Sequence, residues 1–332
     1  SDADTRGTEH TFQTDYTTPL SKNQTLNAGA KFIGRRNISD SKFYNIIDGK
    51  EIFDTNNSVN YKNKQSILAS YIEYKLTLGK FSAKAGTRYE HTWENVEFIL
   101  GKGDNFKKNY GNLVPSASFT YNIGAAVNIG VNYSMRILRP GISFLNPYID
   151  RSTPTVLSYG NPNLDVEESH NVSLVFNAFT PKFMINLTLG EAFANNQIEQ
   201  YSFMDANGIL NTTYGNIVRS RWTNFSTFIN YSITPNTRIY LNGGFDYGDM
   251  RSDKLNQKKH AWQAMAFIGL QQTLPWNVKM SINTGGMTKR HTLQGHGSSF
   301  NMINIALAKD FFNDKLNVSL NYFTPFSGKI RQ

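Results

Sequence analysis

The sequence contains no cysteine in 332 residues. This absence excludes a disulfide framework, a thiolate metal site and a cysteine nucleophile. No segment reaches the roughly 18 consecutive apolar residues that a membrane-spanning helix requires, so a helical membrane protein is excluded as well. The chain also opens without the charged and then apolar run of a signal peptide, which for an exported protein predicts mature sequence or a fragment.

Concentrated positive charge is also lacking. The net charge is +9, but the lysines and arginines are scattered and form no basic run of the kind that binds DNA. We therefore expect no nucleic-acid partner. The scattered charge instead favours polar loops and a partly basic lumen or rim, which could attract anionic ligands or surface lipids.

Long alternating stretches of apolar and polar residues fill the chain. In one of them Trp276, Val278, Met280 and Ile282 alternate with polar residues, and similar runs cover 127–136, 183–189 and 315–322. Successive side chains of a strand point to opposite faces, so each run predicts a strand with one apolar and one polar face. The runs last about ten residues, as a tilted transmembrane strand requires, whereas soluble strands usually stop near 5 or 6. An aromatic content of 13% suits the aromatic girdles of outer-membrane barrels.

Short turns and long loops alternate between these runs. Short turns on one rim and long loops on the other are typical of bacterial outer-membrane barrels, whose loops face outside the cell. Trp276, beside Pro275 at a short turn, is expected to be an interfacial anchor. The predicted short turns are 18–23, 78–80, 123–125, 180–182, 234–236, 274–276 and 312–315, and the predicted loops are 37–61, 101–109, 140–168, 195–214, 249–259 and 289–298.

The sequence thus predicts an all-β fold, an antiparallel up-and-down transmembrane β-barrel with about fourteen strands in a single domain over 1–332. Hairpins every 40 to 60 residues or so could also suit propeller blades, but each unit here has two long strands instead of four. Both ends look cut, so we expect at least one closing strand to be missing at each end. The predicted strands are 7–18, 23–36, 62–78, 81–98, 110–122, 125–138, 169–180, 182–199, 217–233, 236–248, 260–273, 276–289, 299–311 and 315–325.

Two neighbouring motifs carry a family resemblance. The segment 139–148 reads Arg-Pro-Gly-Ile-Ser-Phe-Leu-Asn-Pro-Tyr, and 159–167 reads Tyr-Gly-Asn-Pro-Asn-Leu-Asp-Val-Glu. Together they resemble a motif pair of TonB-dependent outer-membrane receptors, in the branch of outer-membrane β-barrel family proteins. Val166 stands where that pattern usually has proline. The opening segment 12–20 is similar to a mid-barrel strand and turn of the same family.

The resemblance implies a larger assembly. It implies a barrel of about 22 strands, of which this chain supplies about fourteen, filled by an N-terminal plug domain outside these residues. It also implies a place in the cell outer membrane, in contact with its lipid, and energy drawn from TonB through the missing N-terminal region. A small-molecule or oligomer substrate is implied, and a surface lipoprotein is a further candidate partner.

The loop 140–168 is the best candidate for ligand contact or for folding over the lumen, because it offers stacking and charged side chains. The alternative, which we favour, is that its prolines and Gly160 fix the path of the loop. The candidate contact residues are Arg139, Tyr148, Asp150, Arg151, Tyr159 and Asn161.

A second set of candidates lies on the polar faces of three strands. If Tyr74, Leu76, Tyr89 and Met135 face lipid, the residues next to them should face the lumen. There they could contact a plug or line a permeation path, or they could be ordinary solvated wall residues. These lumen candidates are Glu73, Lys75, Lys84, Arg88 and Arg136.

Catalysis finds little support. His291 and His296 are the one histidine pair with ligand-like spacing, and a chance pair in a loop is favoured over a metal site, which needs three or four convergent ligands. Glu167 and Glu168 are adjacent, so a strand would send them to opposite faces. We therefore expect no enzymatic activity, no metal and no cofactor.

The leading hypothesis is the barrel portion of an active receptor that imports a nutrient across the outer membrane. The alternative is a passive porin, or a structural barrel for adhesion or secretion whose long loops narrow a pore or bind a partner. A soluble propeller or sandwich comes third.

Overall fold

The structure is a computed structural model that describes residues 2–55, 58–101, 103–146, 150–153, 155–313 and 315–326. Residues 2, 3, 150–153 and 326 are described by their backbone alone. The main feature is one antiparallel sheet, in which fourteen long strands follow one another in chain order. The predicted all-β class, up-and-down order and strand number are confirmed.

The long strands carry the labels below, and the missing numbers belong to four shorter strands in two of the long loops, which are described further on. The first six long strands are β1 Asp2–Ser21, β2 Gln24–Lys42, β5 Val59–Leu78, β6 Phe81–Leu100, β7 Phe106–Asn122 and β8 Val127–Leu138. The other eight are β11 Glu167–Phe179, β12 Phe183–Met204, β13 Leu210–Thr234, β14 Thr237–Ser252, β15 Gln257–Leu274, β16 Val278–Met287, β17 Phe300–Phe311 and β18 Leu316–Phe326.

All seven predicted short turns join neighbouring strands at one edge of the sheet, which we call the short-turn edge. At the opposite, long-loop edge most predicted strand ends fall short, although β8 ends at 138 as predicted and the predictions for β16 and β17 extend one or two residues too far. The stretch 195–214, expected as a loop, is strand except for residues 205–209. The reason is that polar alternation beyond the apolar span resembles loop sequence, although paired strands satisfy their backbone groups equally well above a membrane. The strands therefore extend past the apolar zone.

The two faces of the sheet differ in character, as alternation predicts. Register places Phe12 opposite Phe32 and Phe32 opposite Leu68, so one face is a continuous apolar surface, which we call the apolar face. These rings are exposed, at 69% and 38% for the two phenylalanines, as expected of a surface that contacts lipid. Trp276 in the turn Pro275–Asn277 is 84% exposed. The opposite side is the polar face.

Met135 departs from the expected lipid exposure. It has the parity of the apolar face, but only 8% of it is exposed. It lies opposite His170, whose ring stacks on Phe193 at 5.0 Å and hydrogen-bonds to the Tyr133 hydroxyl at 3.0 Å. Aromatic neighbours at this level therefore surround Met135 and leave little of it for lipid.

Three of the long loops carry structure of their own. The loop after β2 contains the hairpin of β3 Tyr44–Ile47 and β4 Lys50–Phe53. The loop after β8 contains the helix α1 Ile142–Leu145 and the strands β9 Asp150–Thr153 and β10 Val156–Ser158. In the loop after β16, His291 and His296 form an isolated antiparallel bridge.

Most of the buried residues lie near the long-loop edge, although Ala178 is buried beside a short turn. Leu145, Leu164 and Val166 of the loop after β8 are all at most 2% exposed. A second cluster joins Leu293, from the loop after β16, to strand residues; its other members are Val218, Met250 and Ala261. Two loops therefore fold back onto the wall and create the little core that the chain has.

The strands β1 and β18 are the two edges of the sheet, and no pairing joins them in the part of the chain that is described. The barrel is open between these edges. Among the described residues, no helix has the length and apolarity to cross a membrane.

Candidate functional site

The polar face carries a row of charged and amide side chains across β1, β2, β5 and β6. Near the short-turn edge, Lys84 Nζ lies 3.2 Å from Glu73 Oε2, and Asn27 Nδ2 donates to Glu73 Oε1 at 3.1 Å. Lys75 lies opposite Lys84 in register. Since these side chains are partly exposed, each pair contributes at most about 1 kcal/mol to stability. Their effect is to line the wall with both signs of charge.

The remaining lumen candidates are divided between two places. Arg88 pairs with Glu90 on the same strand, with Arg88 Nε 2.6 Å from Glu90 Oε1. Arg136 is exposed on β8 and lies opposite Ser169 of β11 in register. The structure thus groups Glu73, Lys75 and Lys84, but it keeps Arg136 apart from them.

Two tyrosines lie flat on the polar face because a glycine of the adjacent strand makes room. Tyr71 crosses Gly29 and donates to Asp15 Oδ1 at 2.6 Å. Tyr240 crosses Gly269 in the same way and donates to Asn283 Oδ1. A Cβ at Gly269 would lie 2.2 Å from the tyrosine ring, so a larger residue there would displace the ring into the lumen.

Three asparagines continue the polar lining on β8, β11 and β12. Asn177 Nδ2 donates to Asn128 Oδ1 at 2.9 Å, and Asn186 Nδ2 donates to Asn177 Oδ1 at 2.6 Å. Asn177 both donates and accepts in this row, whereas Asn128 only accepts and Asn186 only donates, so their remaining amide groups can bind solvent or a ligand. This part of the wall is therefore neutral and hydrogen-bonding.

Arg139 fastens the start of the loop after β8 to β6. Its Nε donates to Thr92 Oγ1 at 2.9 Å, and its guanidinium forms an ion pair with Glu90. The pair is mostly buried, with 19% and 13% of the two side chains exposed. Glu90 therefore lies between two guanidiniums, those of Arg88 and Arg139. Arg139 is a candidate for ligand contact, and its contacts within the structure are with the wall.

Next to this pair lies a buried polar group. Asn63 Nδ2 donates to Glu94 Oε1 at 3.1 Å, and Tyr110 is buried beside them. Glu94 Oε2 and Tyr110 Oη have no hydrogen-bond partner among the described residues. A buried polar atom without a partner costs folding free energy, so the packing of the surrounding residues must offset this cost.

The loop after β8 contacts β13 near the long-loop edge. Its strand β10 pairs in parallel with Leu210–Thr212, a stretch of β13 that extends beyond the end of β14. Asn161 Nδ2 donates to the Tyr214 carbonyl at 3.0 Å, and the Phe144 ring stacks on Tyr214 at 4.4 Å. The Tyr159 amide donates to the Thr212 carbonyl at 3.1 Å.

The predicted contact residues therefore separate into three groups. Tyr159 and Asn161 lie in the loop and contact β13. Arg139, at the start of the loop, contacts β6. Tyr148 is outside the described residues, and Asp150 and Arg151 are described only by the backbone of β9. The role of all six residues in ligand contact stays a prediction.

The loop after β16, residues 288–299, was predicted as 289–298, but the sequence did not reveal that it folds inward onto the wall. Lys259 Nζ donates to the carbonyls of Thr292 and Gly295 at 2.6 and 2.7 Å. The Leu293 amide donates to Glu199 Oε1 at 2.7 Å, although 94 residues separate them. The one sequence signal was a leucine isolated in a polar loop, which is too common to be specific.

Glu199 is the polar anchor of this loop. It lies on β12 beyond the bulge at 194–197, past the ten or so residues that a strand needs to cross a membrane. Burial raises the pKa of the Glu199 carboxyl, and the amide hydrogen bonds from Leu293 and Gln294 act in the opposite direction. Its Oε2 has no hydrogen-bond partner within the described residues.

The histidine pair of the same loop closes a small turn. The rings of His291 and His296 are 6.2 Å apart and nearly perpendicular. Burial lowers the pKa of His291, and the charge of nearby Lys259 adds to this effect. Within the described ranges, no group of three or more histidine, aspartate or glutamate residues is placed to hold a metal ion.

Comparisons with known proteins agree with this geometry. The sequence profile of the outer membrane protein beta-barrel family matches residues 1–332. No curated protein sequence matches significantly. Several solved structures share the fold, although their sequences are only distantly similar.

Three of these structures illustrate the likeness. The ferric yersiniabactin uptake receptor FyuA from Yersinia pestis is 11% identical, with a TM-score of 0.69 over 96% of this chain and 49% of that one. The ferric-catecholate import receptor Fiu from K12 E. coli is 13% identical, with a TM-score of 0.68 over 97% and 50%. The copper transporter OprC is 9% identical, with a TM-score of 0.70 over 96% and 50%. The chain thus spans about half the length of these structures.

Proposed function

The chain belongs to the outer membrane protein β-barrel family, whose place is the cell outer membrane, and on that premise we propose that it is part of the wall of an active import receptor. In this proposal the apolar face contacts lipid and the polar face lines the lumen. The protein takes up a scarce nutrient using inner-membrane energy delivered through TonB. Its role is transport, and no enzymatic step is involved.

One observation carries the proposal: two long loops are folded onto the polar face near the long-loop edge. A passive porin needs an open path, whereas a receptor needs a surface that holds its substrate at the outside and releases it when energised. Lys259 and Glu199 hold one of these loops, and Arg139 with Glu90 holds the other. Loops with a few strong contacts can be held closed and still be released.

The similar structures support the same class. They are a ferric yersiniabactin uptake receptor, a ferric-catecholate import receptor and a copper transporter. Fold likeness at this level of identity does not carry a substrate over to this chain. We propose that an N-terminal plug domain fills the lumen and contacts the charged row of Glu73, Lys75 and Lys84. A small molecule or an oligomer is the proposed cargo, and a surface lipoprotein is a candidate partner at the long loops.

Conductance and growth measurements on the full-length protein test the proposal. We expect little ion conductance in planar bilayers, and a growth defect on a limiting nutrient that is equally severe when the gene or TonB is removed. Large conductance that is independent of inner-membrane energy would identify a porin. If cells without the gene grew normally on every limiting nutrient but no longer attached to surfaces, the protein would be an adhesive barrel.

A further inference from the structure

A group of cationic side chains lies on the apolar face of three adjacent strands, near their long-loop ends. Register places Arg219, Arg251 and Lys258 side by side in one row across β13, β14 and β15. The next row toward the short turns contains Arg221, Asp249 and His260. We call Arg219, Arg221, Arg251, Lys258 and His260 the cationic patch.

The patch points away from the lumen. Its members are exposed, with 67% of the Arg219 side chain and 52% of the Arg251 side chain accessible. Their neighbours along the same strands, such as Ser220, Met250 and Ala261, are at most 5% exposed. Met250 and Ala261 pack with Leu293 of the inward loop on the polar face. Because strand neighbours point to opposite faces, the patch lies on the side of the barrel that contacts lipid.

Aromatic rings fix the level of the patch relative to the membrane. The row directly below it pairs Tyr247 with Trp262, whose ring centroids are 4.4 Å apart. Phe245 follows below them, 4.8 Å from Trp262. Tyrosine and tryptophan prefer the boundary between hydrocarbon and headgroups. The patch, one row further out, is therefore at the level of the headgroups.

The patch has more positive charge than its own acids neutralise. Asp249 accepts two hydrogen bonds from Arg251, at 3.1 and 2.6 Å, and Asp253 lies 3.6 Å from Arg219. Arg221 and Lys258 form no ion pair within the described part of the chain. Four permanent cations against two carboxylates leave a net charge of +2, before any charge on His260.

The apolar face carries a second set of cations, because register aligns Arg36 of β2 with Lys64 of β5 and places Lys107 of β7 in the same row. The row of Arg221 continues in register through Phe193, His170 and Met135 on β12, β11 and β8. None of those three carries a permanent charge. Three strands whose residues at this level carry no permanent charge therefore separate the cationic patch from the cations of β2, β5 and β7.

We propose that the cationic patch binds the phosphate of a lipid headgroup in the outer leaflet, while the aromatic rows below contact the acyl chains of the same lipid. Guanidiniums bind phosphate oxygens through paired hydrogen bonds, and the ammonium of Lys258 adds a point charge. His260 is oriented by Tyr247, whose hydroxyl lies 3.1 Å from its Nδ1. The role is independent of the transported cargo, so it stands whether or not the import proposal holds.

Lipid binding to the purified full-length protein tests this inference. Delipidated protein in neutral detergent is titrated with phosphatidylglycerol or with phosphatidylcholine of the same acyl chains, and bound lipid is counted by native mass spectrometry. Wild-type protein should prefer phosphatidylglycerol. The triple variant Arg219→Gln, Arg251→Gln, Lys258→Gln should bind it on the order of 100-fold more weakly, since each cation near an anionic headgroup contributes about fivefold.

A matched control removes the same charge at the other membrane surface. Lys22→Gln, Lys80→Gln and Lys182→Gln change three exposed lysines in the short turns and should leave the affinity unchanged. Asp249→Asn should tighten binding several-fold, because it removes a carboxylate and frees Arg251.

Three results would overturn the proposal. Equal affinity of the triple variant and the short-turn control would mean that the patch does not bind the lipid. Weaker binding by Asp249→Asn would show that Asp249 supports the site instead of competing with the phosphate. If inorganic phosphate bound the patch as tightly as phosphatidylglycerol does, the patch would be assigned to a free anion. Replacing Arg219 and Arg251 by lysine keeps the charge, should retain binding within a few-fold, and shows that a loss in the triple variant is not misfolding.

Discussion

Replacing Leu293 with alanine should release the inward loop after β16 from the barrel wall. Leu293 is 5% exposed and packs against Val218, Met250 and Ala261 on the polar face. It is the one residue of this loop in that buried cluster. The substitution therefore removes the apolar contact of the loop while leaving its hydrogen-bonding atoms in place.

The size of the effect follows from these contacts. Removing a buried leucine side chain costs about 2–5 kcal/mol, and the low end applies because a loop can relax around the gap. The loop keeps its hydrogen bonds to Lys259 and Glu199, each with a net contribution of about 1–3 kcal/mol. A loss of about 2 kcal/mol raises the population of the released loop about 30-fold without releasing it fully.

Hydrogen exchange of the full-length protein in lipid nanodiscs measures this change. The amide of Leu293 donates to Glu199 of the wall, so its exchange should accelerate about 30-fold when the loop is released more often. Leu307→Ala, the same substitution on the apolar face of β17, should leave this rate unchanged. Equal exchange rates in the Leu293 variant and wild type would refute the view that this cluster holds the loop.

Three further predictions concern the polar face. Burial raises the pKa of the Glu199 carboxyl, so its charge is unfavourable there. Glu199→Gln removes this charge and keeps a hydrogen-bond acceptor, so hydrogen exchange of the loop amides should be as slow as in wild type or slower. Glu199→Ala removes the acceptor and should accelerate the exchange. Gly269→Val should reduce the refolding yield because its Cβ meets a tyrosine ring at 2.2 Å, while Gly243→Ala, whose nearest neighbour is at 3.5 Å, should refold normally. Arg139→Gln should lower the free energy of unfolding, measured by denaturant titration, by less than the roughly 3–5 kcal/mol that an unpaired buried charge costs. The reason is that Glu90 keeps its ion pair with Arg88. An unchanged midpoint would show that the Arg139 pair does not stabilise the loop.

Much of the wall could be predicted because its signals are local. Alternation with a period of two residues identified fourteen strands and their two faces, and proline, glycine and asparagine marked the turns that join them. The apolar parity of residues such as Val278 and Leu316 needs no knowledge of distant parts of the chain. The strand ends at the long-loop edge were less accurate, because the polar alternation of residues 195–204 is indistinguishable from loop composition.

The sequence by itself determined the class, order and number of the strands and which side of each faces lipid, since each depends on residues next to one another. Only the tertiary structure decided what the loops and the wall residues contact. Arg139 meets Glu90 across 49 residues, Leu293 meets Glu199 across 94, and Tyr71 reaches Asp15 over Gly29. The cationic patch likewise exists only because register aligns three strands. Such contacts depend on strand register and loop path, which are set by the whole sheet and not by any one segment.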